Sequence, residues 1–331
     1  MTDASARWFH RRGELAGSGA DAGWETVVDG RLPGWQHTGL RVARLAAGGS
    51  LELGAAPMGG AGIERLIVPL AGSFSVTHEE GGARTTTELA GRASVFAGPT
   101  DVLYLSAAAT ATVSSATGGR FAVAASPTEV ILPTRHIALD EVPVELRGSG
   151  ASSRQVHNFG TPQALDAARF IVCEVITPAE NWSSYPPHKH DEHVPGHESR
   201  LEEIYYFETA PAAGAPAEAD EDRAFGMFST YSSPAGEIEI DAMVRTGDVA
   251  LVPYGYHGPA VAAPGYDLYY LNVMAGPDPE RVWHISDDPA HTWVRDTWAG
   301  QRFDPRLPFT ATGPAAPAAA APANAATEEK R

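Results

Sequence analysis

Cysteine is nearly absent from this sequence: Cys173 is the only one among 331 residues. A single thiol excludes an intramolecular disulfide framework and a metal cluster built from thiolates. Cys173 lies in the apolar run of residues 170–176, which favours a small buried side chain over a reactive nucleophile. Any metal chemistry in this chain must therefore depend on imidazole and carboxylate ligands.

Long hydrophobic runs and an excess of basic charge are also missing. No stretch approaches the roughly 18 apolar residues that cross a bilayer, and the N-terminus lacks the basic-then-apolar pattern of a signal peptide. We therefore expect no membrane partner and a cytoplasmic protein. The formal net charge of −17 at pH 7 argues against a nucleic-acid partner, because a polyanion would be repelled.

Helical periodicity is scarce, and short β-rich segments recur between Gly, Pro and Asp turns at intervals typical of sandwiches and barrels. Residues 94–96 are among the predicted strands. Two sets of such segments follow one another, and both have Gly turns around their strands, which indicates a duplicated fold. We predict an N-terminal barrel without a metal site, a connection, a C-terminal metal-binding barrel and a disordered Ala/Pro-rich tail, over residues 1–130, 131–160, 161–310 and 311–331.

Three histidines and a glutamate in the second set have the spacing of a metal site. His188 and His190 lie two apart, so on a strand both side chains point to the same face. Taken alone, such a pair is equally typical of a polar cross-strand contact. A following carboxylate at Glu202 or Glu203 and a Pro-x-Gly-x-His turn that ends at His257 favour a metal site instead.

Imidazole nitrogens with one carboxylate oxygen suit a single divalent ion such as Zn, Mn, Fe or Ni. Which glutamate is the ligand stays open at this point, because Glu202 and Glu203 alternate to opposite faces of the predicted strand. His193 and His197 lie in a polar insertion before these glutamates, where we expect exposed side chains rather than ligands.

These motifs resemble the cupin superfamily, in which His-x-His is followed by Glu and a Pro-x-Gly turn leads to the last His. The gap between the histidine pair and the glutamate is longer here than is usual. Longer strings are similar to the 5-deoxy-glucuronate isomerase family of inositol catabolism. The matching segments are residues 91–96, 154–158, 181–191, 201–206, 265–276 and 287–291.

The resemblance implies an all-β bicupin fold, with two double-stranded β-helix (jelly-roll) barrels in one chain. It also implies interconversion of 5-deoxy-D-glucuronate and 5-dehydro-2-deoxy-D-gluconate by a metal-dependent aldose–ketose isomerase. A Glu-Val-Tyr pattern in related isomerases favours Glu203 over Glu202 as the ligand. By motif, the metal ligands are His188, His190, Glu203 and His257.

The chemistry that the resemblance implies needs a general acid or base near the metal and a cation for the substrate carboxylate. The acid–base candidates are Tyr185, Asp191, Glu202 and Tyr205, and the carboxylate-binding candidates are Arg154, Arg245 and Arg281. Alternative functions are an Fe(II) cupin dioxygenase and a non-catalytic cupin that binds sugar acids. The expected partners are a small sugar acid and further copies of this chain in a homo-oligomer.

Overall fold

The chain folds almost entirely into β-strands, as a computed structural model describes for residues 7–54, 62–311 and 313–314. The all-β prediction is therefore confirmed. Most of the predicted disordered tail, residues 312 and 315–331, lies outside the described residues. No helix in the described part of the chain is long and apolar enough to cross a membrane.

The first half of the chain builds a nine-stranded sheet. Its strands and the first strand of the chain are β1 Phe9–His10, β2 Trp24–Val28, β3 Gly39–Leu45, β4 Gly49–Leu53, β5 Gly62–Glu80, β6 Ala83–Arg92, β7 Val102–Leu105, β8 Thr110–Ser115, β9 Gly119–Thr128 and β10 Arg135–Ile137. The sheet order is β10-β7-β5-β9-β3-β2, while β6 and β8 also pair with β5 and β4 pairs with β8.

The second half builds a seven-stranded and a six-stranded sheet. Its strands are β11 Val144–Arg147, β12 Arg154–Gly160, β13 Ile171–Thr177, β14 Trp182–Ser183, β15 His188–Lys189, β16 Glu202–Pro211, β17 Gly226–Ser233, β18 Gly236–Val244, β19 Val249–Val252, β20 Tyr256–Ala262, β21 Tyr266–Ala275, β22 Ser286–Asp287, β23 Phe309–Thr310 and β24 Gly313–Pro314. The larger sheet runs β1-β19-β16-β21-β13-β12-β11, and the smaller runs β18-β17-β20-β15-β22 with β14 beside β20.

Helices are few and short in the described residues. The one α-helix is α1 Trp293–Asp296, and the 3-10 helices are Gly19–Asp21, Val95–Ala97, Leu139–Glu141, Gly150–Ser152 and Glu221–Arg223. The predicted strand at residues 94–96 is therefore wrong. The hydroxyl of Ser94 accepts a hydrogen bond from the N–H of Phe96 at 3.2 Å, which caps a helical turn instead.

Strand β1 does not join the sheet of the first half. Phe9 and His10 pair antiparallel with Ala250 and Val249 of β19, at the edge of the seven-stranded sheet. Conversely, β10 of the predicted connection pairs with β7 of the first half. We still propose a division into two barrels, with β1 assigned to the second and β10 to the first.

Strand β5 of the nine-stranded sheet has one face inside the first barrel and the other against the second half of the chain. Alternate residues of β5, such as Leu66 and Val68, are fully buried in the apolar core that the two halves share. Ile67 of the same strand instead joins a separate core inside the first barrel, with Phe74 and Phe121. The period-two alternation of strands thus assigns each side chain either to a barrel interior or to the interface.

Several buried carboxylates bond across the interface between the barrels. Arg92 of β6 donates two hydrogen bonds to Glu174 of β13, at 2.6 and 2.7 Å, and both side chains are at most 2% exposed. Arg120 of β9 pairs with Glu208 of β16 at 2.7 Å. In the opposite direction, Glu64 of β5 accepts hydrogen bonds from the backbone N–H groups of residues 168–170.

We predict that Arg92→Leu lowers the free energy of unfolding by about 3–5 kcal/mol, because it leaves the buried Glu174 carboxylate without its cation. Urea denaturation followed by fluorescence would measure the loss. The matched control is Arg135→Leu, whose partner Glu141 is about half exposed, as Arg135 is, so that a change within about 1 kcal/mol is expected there. Equal losses in the two variants would contradict the assignment of Arg92 to the interface.

Candidate functional site

The four predicted metal ligands converge inside the second barrel. His188 of β15 lies directly opposite His257 of β20 in antiparallel register, and Glu203 comes from β16 of the facing sheet. Oε2 of Glu203 lies 3.0 Å from Nε2 of His190 and 3.0 Å from Nε2 of His257. All four side chains are at least nine-tenths buried. Nitrogen atoms of the three histidines lie within 4.8 Å of one another.

Backbone carbonyls fix the direction in which each imidazole points. Nδ1 of His188 faces the carbonyl of Pro186 at 3.3 Å, that of His190 faces Leu201 at 3.0 Å and that of His257 faces Gly255 at 2.8 Å. A carbonyl only accepts hydrogen bonds, so each Nδ1 carries a proton, and Nε2 of a neutral ring then presents a lone pair. Carbonyls that accept a hydrogen bond from the other ring nitrogen commonly orient histidine ligands of metal ions.

The resulting cluster fits a cation. Nε2 of His190 and Nε2 of His257 are 3.1 Å apart, and the Glu203 carboxylate lies between them. Burial acts to raise the pKa of Glu203, but interaction with the two rings outweighs it and holds that pKa at about 2. Burial and the neighbouring histidines lower the pKa of His188 well below its ordinary value, which keeps its ring neutral. Burial acts to lower the pKa of His190, but its contacts with Glu203 outweigh burial and raise that pKa, so positive charge is favoured inside the cluster. The donor set suits a divalent metal ion.

The turn around His257 brings the backbone close to the histidine rings. Gly255 has φ +97° and supplies the carbonyl that holds His257. Gly258 has φ +110°, and a Cβ at this position would lie 2.8 Å from Cε1 of His188. The backbone N–H of Gly255 donates to Asp191 at 2.8 Å, so Asp191 joins the His190 segment to this turn. Glycine is thus required where the backbone passes the histidine rings.

The insertion between His190 and Glu203 wraps around Lys189. Its ammonium donates to carboxylates of Asp191, Glu192 and Glu198 at 2.8–3.0 Å. Glu198 also accepts from the backbone N–H groups of Asp191 and Glu192. These bonds hold the long insertion in place. At its end, the N–H of Leu201 donates a hydrogen bond to the carbonyl of His190 at 2.9 Å.

A cleft of about 530 Å³, open to solvent, lies beside the cluster. Its lining includes His188 and Glu203 together with three guanidinium groups, from Arg147, Arg154 and Arg295. Glu203 belongs to β16, whereas the first two arginines belong to β11 and β12, with β21 and β13 between them. The cleft therefore combines a metal-binding corner with a separate cationic region in a strongly acidic protein.

Four hydroxyl-bearing side chains also line the cleft: Ser184, Tyr185, Tyr205 and Tyr270. The Ser184 hydroxyl lies 2.8 Å from the Tyr270 hydroxyl, and the Tyr205 ring packs edge-on against His257 with centroids 6.2 Å apart. Burial raises the pKa of Tyr205 well above its ordinary value and that of Tyr270 to about 12. Both phenols therefore stay protonated and can donate hydrogen bonds near neutral pH.

Of the acid–base candidates from the sequence, Tyr185 and Tyr205 line the cleft. Glu202 instead faces the first barrel, where it accepts hydrogen bonds from the backbone N–H groups of His37 and Thr38, both at 2.7 Å. Asp191 is held by Lys189, Ser233 and the turn at Gly255. The period-two alternation of β16 separates Glu202 from Glu203.

Of the carboxylate-binding candidates, Arg154 lines the cleft. Arg281 donates to the backbone carbonyls of Gly160, Leu165 and Phe170, each at 2.6 Å, which engages its whole guanidinium in holding the chain. Arg245 is exposed, outside the cleft lining. His193 and His197 are exposed, as the polar insertion predicted.

Sequence reasoning missed several residues that line the cleft: Arg147, Ser184, Tyr270, Asn272, Trp283 and Arg295. Tyr270 and Asn272 lie two apart on β21 and could have been found from this alternation once the strand was predicted. Arg147 and Arg295 lie far from the histidine motif in sequence. No pattern there carries a signal for them, because only the folded sheet brings them to the cleft.

Comparisons with known proteins agree on one family. Residues 13–294 match the KduI/IolB family. A 5-deoxy-glucuronate isomerase from Geobacillus thermodenitrificans is 44% identical over 56% of this chain and 62% of its own length, so that match spans less than two thirds of the relative. The 5-deoxy-glucuronate isomerase from Geobacillus kaustophilus is 37% identical over 80% of this chain and 88% of its length.

Solved structures extend the comparison to the fold. An IolB-like protein from Salmonella typhimurium superposes with a TM-score of 0.73 at 31% identity, over 87% of this chain and 98% of the other. An oxalate decarboxylase from Lactobacillus farciminis gives a TM-score of 0.54 at 11% identity, over 85% of this chain and 90% of the other, which supports the fold alone. The predicted bicupin fold is confirmed. The chain belongs to the KduI/IolB family.

Proposed function

We propose that this protein is a metal-dependent isomerase that converts 5-deoxy-D-glucuronate to 5-dehydro-2-deoxy-D-gluconate. The observation that carries the proposal is a single cleft lined by the histidine–glutamate cluster and by three arginines. The aldehyde and neighbouring hydroxyl of the substrate suit the first feature, and its carboxylate suits the second. The names of the relatives agree with this assignment.

Isomerisation moves one proton from the hydroxyl-bearing carbon to the adjacent aldehyde carbon, and a second proton from that hydroxyl to the aldehyde oxygen. A divalent ion held by His188, His190, Glu203 and His257 would supply Lewis-acid stabilisation of charge on the two substrate oxygens. The protonated phenol of Tyr205 suits a hydrogen-bond donor to a substrate oxygen rather than a base. The backbone carbonyls of Pro186, Leu201 and Gly255, which face the three Nδ1 atoms, keep the imidazole rings oriented throughout the reaction.

The arginines suit the anionic end of the substrate. Arg154 is 9% exposed, and Nε of Arg147 is buried with no hydrogen-bond partner among the described residues. Arg295 is oriented by two hydrogen bonds to Asp287, at 2.6 and 2.8 Å. A planar guanidinium can grip a carboxylate with two parallel hydrogen bonds, which fixes the direction of the substrate in the cleft.

An Fe(II) dioxygenase is the alternative for the same ligand set, and oxygen consumption with a catechol or thiol substrate would reveal it. A non-catalytic sugar-acid-binding cupin would bind the substrate without turnover. The metal identity, the homo-oligomeric state and the cytoplasmic location stay predictions from the sequence.

We predict that His188→Ala lowers the metal content of the purified protein and abolishes isomerase turnover, because it removes one of the converging imidazoles. Elemental analysis and a 5-deoxy-glucuronate assay on the same sample would measure both. The control is His193→Ala, an exposed histidine of the adjacent insertion, which should keep wild-type metal content and activity. Full activity of a metal-free His188→Ala protein would refute the metal-dependent mechanism.

We predict that Arg154→Met lowers kcat/KM about 10²- to 10³-fold, mainly through KM, because a charged hydrogen bond to the substrate is lost. Steady-state kinetics on 5-deoxy-glucuronate would measure the change. Arg245→Met is the matched control, since Arg245 is exposed outside the cleft lining. If the two variants behave alike, Arg154 does not bind the carboxylate.

We predict that turnover in D₂O places solvent deuterium on carbon in the product, because proton transfer through an enediol passes through an exchangeable group. Mass spectrometry and proton NMR of the product would detect it. A control incubation of the product without enzyme corrects for spontaneous exchange. Complete absence of label after enzymatic turnover would favour a direct hydride shift.

A further inference from the structure

Asn272 carries a buried polar group that the fold itself does not use. Its side chain lines the cleft, yet the residue is only 3% exposed. Within the described part of the chain, its amide nitrogen Nδ2 has no hydrogen-bond partner. Buried amides without partners are uncommon because desolvation is then uncompensated. Nδ2 is itself closed off from solvent, and a half-turn of the amide exchanges it with Oδ1, which lets the donor reach a ligand oxygen in the cleft.

The sheet register places Asn272 beside the metal cluster. It lies directly opposite Tyr205 on β16, and Glu203 is two residues along that strand on the same face. Cross-strand and diagonal neighbours of this kind are within reach of one another's side chains. On the other side, Asn272 lies opposite Cys173 of β13, a buried thiol.

Nε of Arg147 and Nε1 of Trp283, from the same cleft lining, are also buried without a hydrogen-bond partner, whereas the polar groups beside Asn272 are paired. Tyr270, its neighbour on the same face of β21, has the Ser184 hydroxyl at 2.8 Å. The histidines of the cluster are each held by a carbonyl. A leucine, which has the same branching and the same number of side-chain heavy atoms, would leave no polar atom unpaired, so packing alone does not require an amide here.

We propose that Asn272 donates a hydrogen bond from Nδ2 to an oxygen of the sugar-acid substrate at the metal-binding end of the cleft. This inference rests on the proposed isomerase function and deepens it. A neutral amide suits this position, because it can stabilise developing negative charge on oxygen without introducing another anion beside Glu203. The donor would act on the same end of the substrate as Tyr205, its cross-strand neighbour.

The test compares Asn272→Leu and Asn272→Ala with wild type in the metal-loaded protein. We expect kcat/KM on 5-deoxy-glucuronate to fall about 10²- to 10³-fold in both variants, as for loss of one donor to a reacting oxygen. Metal content and melting temperature of Asn272→Leu should stay at wild-type values. Asn181→Leu is the control, because Asn181 is equally buried but bonds to Ser153 and Asp304 and does not line the cleft.

Two results would overturn the inference. The first is a kcat/KM within about threefold of wild type in the Asn272 variants. The second is a decrease in kcat/KM that is fully accounted for by a decrease in metal content. Should wild type itself show no turnover, the proposed function fails, and calorimetric binding of D-glucuronate then decides the role of Asn272. Affinity about tenfold weaker or more in Asn272→Leu, which is one lost hydrogen bond, would support the contact, and equal affinity would reject it.

Discussion

The period-two alternation of strand β16 is the constraint on which the site depends. Glu203, Tyr205 and Phe207 point into the second barrel, whereas Glu202 and Glu208 point to the first barrel. A one-residue slip of this strand would exchange the two faces and bury each carboxylate among the wrong partners. Pairing with β21 over all ten residues of β16 fixes the register, so the metal cluster and the barrel interface are specified together.

The interface between the two barrels in turn supports the site, because its buried charges require bonded partners. Glu174 lies on β13 with its carboxylate between Arg92, His157 and Tyr269, and burial in such a place is tolerated only with partners. The opposite face of the same strand contributes Val175 to the cleft. Anchoring of one face therefore limits how far the other can move, and a metal site needs that rigidity because its ligands must converge within a fraction of an ångström.

Local patterns in the sequence predicted most of the metal cluster but little of the rest of the cleft. The His188 and His190 pair followed from strand geometry, and the Pro-x-Gly turn pointed to His257. Alternation alone could not choose between Glu202 and Glu203, because the choice depends on which face meets the first barrel. Residues 94–96 were assigned to a strand since apolar composition does not report a serine-capped turn. Long-range contacts, which no local pattern encodes, decide these features.

The arginines of the cleft are opposite in sign to the net charge of the protein. The chain carries a net charge of −17, yet the cleft collects three arginines, one of which is only 9% exposed. Exposed carboxylates elsewhere are screened by dissolved ions within about 10 Å, while cations in a half-enclosed cleft act at short range in a lower dielectric. The local potential can thus attract a small anion despite the overall sign. Because β21 and β13 separate Glu203 from Arg154 across the sheet, an anion held at the arginines can extend its far end toward the histidines. In the proposed function, the distribution of charge within the cleft, rather than the net charge of the protein, sets the direction of the substrate.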